Sequence, residues 1–190
     1  IVKEGDFINY LVNEDTGNMY FTISKDEKNY GTVYYYDSSE KELTKVNDNS
    51  QINDIIDGKN LSDIAFIKTE NKNYLSKSGD LLEFNNSENV EHMYSRAEDM
   101  TLFYVSRNDS NKKYDLYSLV MQGEKLPEPE KIDTEVESVD KLYYGSIYYY
   151  KSGSEGKDLY KSGRKLRTNV QKTFYLYGNI YMACDKQKDS

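Results

Sequence analysis

Tryptophan is absent from the 190 residues, and cysteine, histidine and proline number one, one and two. Each scarcity closes off a chemistry. A single thiol, Cys184, can form no internal disulfide and anchors no multi-cysteine metal site. With no histidine near it in sequence, it reads as a buried, inert thiol. A single imidazole, His92, would have to carry any Ser-His-Asp or Cys-His centre by itself, and no Gly-x-Ser-x-Gly elbow accompanies it. It reads as a solvent-facing or strand-packed side chain. No apolar run approaches the ~18 residues that cross a bilayer as a helix. No secretory signal is recognisable, and the chain opens on Ile1 rather than Met, so a trimmed or mature segment is expected. Positive charge is also short. Lys and Arg total 25 against 33 Asp and Glu, a net charge of −8 that repels phosphate backbones and anionic headgroups alike. Neither nucleic acid nor direct membrane binding is therefore expected, and no cofactor motif is present.

What the chain does have is tyrosine, 20 residues of it beside six Phe. The aromatics fall in short bursts bounded by Gly, Asn, Asp, Ser and Lys, which read as strands separated by turns. In Tyr34-Tyr35-Tyr36 and Tyr148-Tyr149-Tyr150, neighbouring side chains must point to opposite faces of a strand. Both faces then carry a large ring, as in a sheet packed between two other sheets.

These bursts repeat. One landmark is Met19-Tyr20-Phe21, Ile64-Ala65-Phe66, Leu102-Phe103-Tyr104, Ile147-Tyr148-Tyr149 and Ile180-Tyr181-Met182; the other is Val33-Tyr34, Leu75-Ser76, Leu116-Tyr117 and Leu159-Tyr160. The second recurs at intervals of 42, 41 and 43 residues, the spacing of small antiparallel sheets in an array. The alternative of matching Gly31-Thr32-Val33-Tyr34 to Gly145-Ser146-Ile147-Tyr148 would leave Met19-Tyr20-Phe21 without a counterpart, so Val33-Tyr34 is assigned to a second strand. A single all-β domain over 1–190 is expected, with repeat units at about 15–58, 59–97, 98–142 and 143–177 and partial strands at 6–12 and 178–184. Residues 6–12 read as the closing strand of a preceding unit. Helical spacing at Ile132, Val136, Val139 and Leu142, and at Ile52, Ile55 and Ile56, competes with strand, and the position of both segments in the repeat favours strand. Pro127 and Pro129 mark a loop in the third unit.

Chemistry-bearing motifs dissolve into this pattern. Ser38-Ser39-Glu40-Lys41 fits Ser-x-x-Lys and Lys-Ser-Gly occurs at 77–79 and 161–163, yet the first follows a strand and the second sits at one phase of the repeat, as turns do. Asn47-Asp48-Asn49-Ser50 and Asn108-Asp109-Ser110-Asn111 lack the spacing of a calcium loop and read as solvated turns. The sharpest functional reading is that Tyr35, Tyr104, Tyr117, Tyr149 or Tyr160 offers its ring as a ligand-stacking platform, against the competing reading that these rings fill the core.

The succession Ile147-Tyr148-Tyr149, then Asp158-Leu159-Tyr160-Lys161-Ser162-Gly163, then Leu166 to Val170, resembles the β-propeller blades of bacterial cell-surface proteins, which are similar in turn to the YWTD-type propellers of low-density lipoprotein receptors. With no Trp, no YWTD tetrapeptide can occur here. The resemblance implies a propeller-like array of about four to five short antiparallel sheets. It further implies a non-catalytic binding or scaffolding module, extracellular or in the cell envelope, whose partner is a protein or a glycan. Two alternatives stand beside it: a carbohydrate-active enzyme with a carboxylate pair in the channel, and an intracellular interaction domain.

Overall fold

The computed structural model describes residues 6–24, 30–53, 55–56, 63–83, 89–96, 100–121 and 127–184. Among these the chain is all-β with antiparallel sheets and contains no α-helix. Its strands are β1 (Asp6–Val12), β2 (Met19–Ser24), β3 (Gly31–Asp37), β4 (Glu42–Asn53), β5 (Ile55–Ile56), β6 (Ile64–Thr69), β7 (Asn73–Lys77), β8 (Asp80–Leu82) and β9 (Val90–Arg96). They continue as β10 (Thr101–Arg107), β11 (Tyr114–Val120), β12 (Glu130–Tyr143), β13 (Ser146–Ser152), β14 (Lys157–Lys161), β15 (Arg164–Arg167), β16 (Val170–Leu176) and β17 (Asn179–Cys184). Both segments with competing helical spacing are strand where described. The prolines stand between β11 and β12, outside both.

Two strands are much longer than the rest, and each serves two neighbours in succession. β4 pairs with β3 as far as Ser50 and with β6 from Ser50 onward. β12 pairs with β11 as far as Val136 and with β13 from Val136 onward. The handover sits one residue after a left-handed residue, Asn49 (φ 49°) or Glu135 (φ 56°). An L-residue there breaks the regular pleat, so the strand bends out of one sheet and into the next. Asn169 (φ 54°) stands in the same relation to Val170 between β15 and β16, where the chain bends into a separate hairpin. The cluster Asn47-Asp48-Asn49-Ser50 is thus a bend inside β4, not a turn: Lys45 Nζ and Thr32 Oγ1 both bond Asp48, at 2.8 and 2.9 Å.

The strands hydrogen-bond into a seven-stranded sheet in the order β1-β2-β3-β4-β6-β7-β8, an eight-stranded sheet in the order β15-β14-β13-β12-β11-β10-β9-β5, and the hairpin β16–β17. Divided at the bends within β4 and β12, these sheets fall into five layers. The first is β1 to β3 with the start of β4; the second is the end of β4 with β6 to β8. The third is β9 to β11 with the start of β12, the fourth the end of β12 with β13 to β15, and the fifth the hairpin β16–β17. β5 adds parallel to the free edge of β9. β1 is the opening strand of the first layer, paired with β2, and it does not pair with β17. Among the described residues no sheet closes on itself.

Alternation then builds one core per junction. Tyr20, Val33 and Tyr35 of the first layer meet Ala65 and Ile67 of the second. Phe66 and Leu75 meet Leu102, Tyr104 and Tyr117 of the third. Phe103, Val105 and Leu116 meet Ile147 and Tyr149 of the fourth. Tyr148, Tyr150 and Leu159 meet Val170, Tyr175 and Ile180 of the fifth. Each layer therefore has a rear face for its predecessor and a forward face for its successor. This packing also realigns one landmark. Asp63, with φ 61°, takes the place of Gly17, Gly145 and Gly178 in the preceding turn, so that Ala65-Phe66-Ile67, not Ile64-Ala65-Phe66, corresponds to Met19-Tyr20-Phe21.

Candidate functional site

The five tyrosines singled out from the sequence are not together on a surface. Tyr35 is 3 % exposed, Tyr104 and Tyr149 0 % and Tyr117 7 %, and Tyr160 is half-buried. Four of them form two cross-strand pairs on rear faces: Tyr104 stacks on Tyr117 at 5.0 Å and Tyr149 on Tyr160 at 5.5 Å. The first layer repeats the pair with Phe21 and Tyr34 at 5.6 Å, and the second places Ile67 opposite Tyr74. Such pairs add roughly 0.5–1.5 kcal/mol to the burial of their rings. Tyr35 packs on Tyr20, and burial pushes the Tyr20 hydroxyl up to about 12 despite its bonds with Ser76 and Gly79.

The stacked tyrosines continue into a charge on the next strand. Lys45 lies opposite Tyr34, Lys131 opposite Tyr117 and Lys165 opposite Tyr160. Lys131 and Lys165 sit 5.2 and 5.6 Å from those ring centres and pair with Asp115 and Asp158, each two residues before its tyrosine. In the second layer the signs are exchanged, Lys72 before Tyr74 bonding Glu83 at 2.5 Å. These rows finish the rims of the inter-layer cores.

The rings that do reach solvent are different ones. Tyr144 is 77 % exposed and Tyr177 89 %. Both begin a Tyr-Gly hairpin turn, Tyr144-Gly145 and Tyr177-Gly178, and both are left-handed, with φ 45° and 48°. Two positive φ values in succession are the demand of a type I′ turn, where Asn-Gly is the usual occupant. A bulky ring in that conformation is rare and carries strain of about 1–3 kcal/mol. The two turns are neighbours: a Cβ on Gly178 would lie 3.6 Å from the Tyr144 ring. Tyr143 braces them, its ring 4.7 Å from Tyr144 and 4.9 Å from Tyr175, its hydroxyl accepting from Gly178 N at 2.8 Å. Behind it the Tyr175 hydroxyl donates to Asp140, and burial with that carboxylate lifts it far above the ordinary phenol range. The result is an aromatic corner of two exposed rings on a fixed base. Its signal in the sequence is the Tyr-Gly dipeptide at 144–145 and 177–178, a weak one because Tyr30-Gly31 at the start of β3 has it too.

A second concavity lies where the β6–β7 and β10–β11 turns meet the start of β9. Two adjoining clefts of about 160 and 310 Å³ share Asn89 and Arg107. The smaller is also lined by Glu91, which accepts from Arg107 Nη1 at 3.1 Å and from the Tyr114 hydroxyl at 2.8 Å. Burial alone would raise this carboxyl, but the two donors outweigh it and hold it below the usual range. Asp133 is kept low in the same way, by Lys151 at 2.8 Å and the Tyr149 hydroxyl at 2.6 Å against the effect of burial.

The remaining motifs are placed plainly. Ser38 to Lys41 form the turn from β3 to β4, capped by Asp37, which accepts from Ser39 N and Glu40 N. Ser78-Gly79 and Ser162-Gly163 are left-handed pairs in tight hairpins. His92 is exposed on β9, and Cys184 is half-buried against the fourth layer. Among the described residues no cluster of three or more His, Cys, Asp and Glu could hold a metal ion. Comparison with protein-family models and with curated proteins finds no match to this sequence.

Proposed function

We propose that the chain is a propeller-like array of four-stranded units that binds a saccharide without transforming it, as part of a cell-surface or secreted protein. The observation that carries this reading is the aromatic corner of Tyr144 and Tyr177. Sugar rings present a C–H face that packs on aromatic faces, while their hydroxyls bond the polar groups around them. Exposed rings cost apolar hydration, and a strained turn costs more, so their presence at the matching turns of two successive layers speaks for use. Tyrosine suits the task because little side-chain freedom is lost on binding. The net charge of −8 favours a neutral ligand over an acidic polymer.

Neither of the two carboxylates held by both a cation and a phenol is set to act as the acid of a glycosidase. A glycosidase needs one carboxylic acid raised to protonate the leaving oxygen. Glu91 and Asp133 are both lowered, each by a cation and a phenol.

An array of neutral and acidic oligosaccharides probed with the whole chain tests the reading. Retention of a neutral glycan, weakened at least tenfold in Tyr144→Ser/Tyr177→Ser, is the expected outcome. Both substitutions remove an exposed ring from a left-handed position, so folding is not at stake. A blank array, or equal binding by the variant, overturns the proposal.

A further inference from the structure

Each of the first four layers ends in an outermost strand that is mostly exposed, and in the fourth the charge of that strand is reversed. The start of β4 carries Glu42 and Asp48 beside Lys45, β8 carries Asp80, and the start of β12 carries Glu130, Asp133 and Glu135 beside Lys131. Both lysines are paired, Lys45 with Asp48 and Lys131 with Asp115. β15 is instead Arg164-Lys165-Leu166-Arg167, exposed throughout. Residues 157–172 hold six of the chain's 25 Lys and Arg against one of its 33 Asp and Glu. This exposure does not depend on the fifth layer being a hairpin. The outermost strands of the first and third layers are each followed by a four-stranded layer and are mostly exposed as well.

The one acid in that stretch, Asp158, is taken by Lys165 at 2.6 Å. Lys161, Arg164 and Arg167 bond no carboxylate among the described residues. The three share a face: Arg164 is the cross-strand partner of Lys161, Arg167 that of Leu159, and Lys161 lies 5.8 Å from the Tyr148 ring centre. Like charges directly opposite each other in a sheet are destabilising, and among the described residues no anion relieves this pair. The outer main-chain groups of β15 are unpaired among the described residues, a template for one more strand. We infer that this edge docks an extended acidic segment of another polypeptide, laid along β15 with its carboxylates on Lys161, Arg164 and Arg167. Charge complementarity selects the occupant: a cationic edge repels a cationic strand and accepts an anionic one. Arginine also meets a carboxylate with two donors at once. The free main chain favours a peptide over an acidic polysaccharide. A screening length of ~8 Å at physiological salt keeps the acidic remainder of the molecule from cancelling the patch.

Fluorescence anisotropy of a short labelled peptide alternating Glu and Val, titrated with the whole chain, tests this. Saturable binding is expected, weakened at least tenfold in Arg164→Gln/Arg167→Gln and weakened as much for a peptide with Gln in place of Glu. Both arginines are exposed, and circular dichroism checks that the strands persist. N-methylation of alternate peptide bonds keeps the charge of the probe but removes main-chain donors, and it too should weaken binding at least tenfold. Tyr144→Ser/Tyr177→Ser should bind the peptide like the parent, which separates this edge from saccharide binding. The inference is overturned if the Glu and Val peptide does not bind, or if the arginine variant or the N-methylated probe binds equally. Equal competition by a hyaluronate oligosaccharide, the mark of an unselective anion patch, overturns it as well.

Discussion

The fourth and fifth layers begin with the same local sequence logic, a strand, a Tyr-Gly turn and a strand opening on Ile-Tyr, yet they end in opposite surroundings. In the fourth, Tyr148 and Tyr150 are sealed beneath the hairpin β16–β17. In the fifth, the ring equivalent to Tyr148 faces solvent at 54 %. The difference lies in the neighbour and not in the strand. Layers of this kind present two apolar faces because both are normally occupied, and a face without a neighbour keeps its chemistry.

Truncating the two equivalent rings should expose the contrast directly. Tyr148→Ala empties a site between two layers and is expected to cost about 3–5 kcal/mol in urea or thermal unfolding, the range for large aromatics in a core. A loss below ~1 kcal/mol would mean that the fifth layer is not seated on the fourth. A smaller effect is expected at the junction of the third and fourth layers. The carboxyl of Asp133 is lowered in the folded protein, so its stabilisation is complete above the ordinary carboxylate pKa of ~4 and fades as pH falls through the folded value. Asp133→Asn should therefore lower stability near neutrality and flatten the acid limb of the stability–pH profile. An unchanged limb would remove Lys151 and Tyr149 as its cause. The smallest change belongs to Tyr181→Ala, within about 0.5 kcal/mol, because this counterpart of Tyr148 is 54 % exposed. A loss comparable to that at Tyr148 would show that the forward face of the fifth layer is already covered.

Much of the strand pattern could be read from the aromatic bursts, because alternation and turn residues act locally. Met19-Tyr20-Phe21 and Val33-Tyr34 do lie in adjacent strands, and the competing helix at Ile132 to Leu142 is strand. The offset at Ile64 came from a turn in which Asp63, not glycine, supplies the left-handed residue, so the punctuation was missing from the sequence. Asn47 to Ser50 read as a turn because its polar residues are those of turns, whereas the chain continues through them as one strand into the next layer. The stacking candidates failed to gather for a related reason. Periodicity tells which face a ring takes but not what lies across from it, and Tyr35, Tyr104, Tyr117 and Tyr149 all face another layer. Tyr144 and Tyr177 sit outside the alternation, on turns, where a strand-based reading does not look.

The shared strands β4 and β12 carry a mechanical meaning. A chain of modules linked by loose segments lets each module melt or be cut away by itself. Here the fourth strand of one module and the first of the next are a single covalent span, with the bend residue Asn49 or Glu135 inside the hydrogen-bonded ladder. Peeling the second layer from the first, or the fourth from the third, pulls the outermost strand of its neighbour with it. Local opening at those two seams thus becomes a joint event of paired layers.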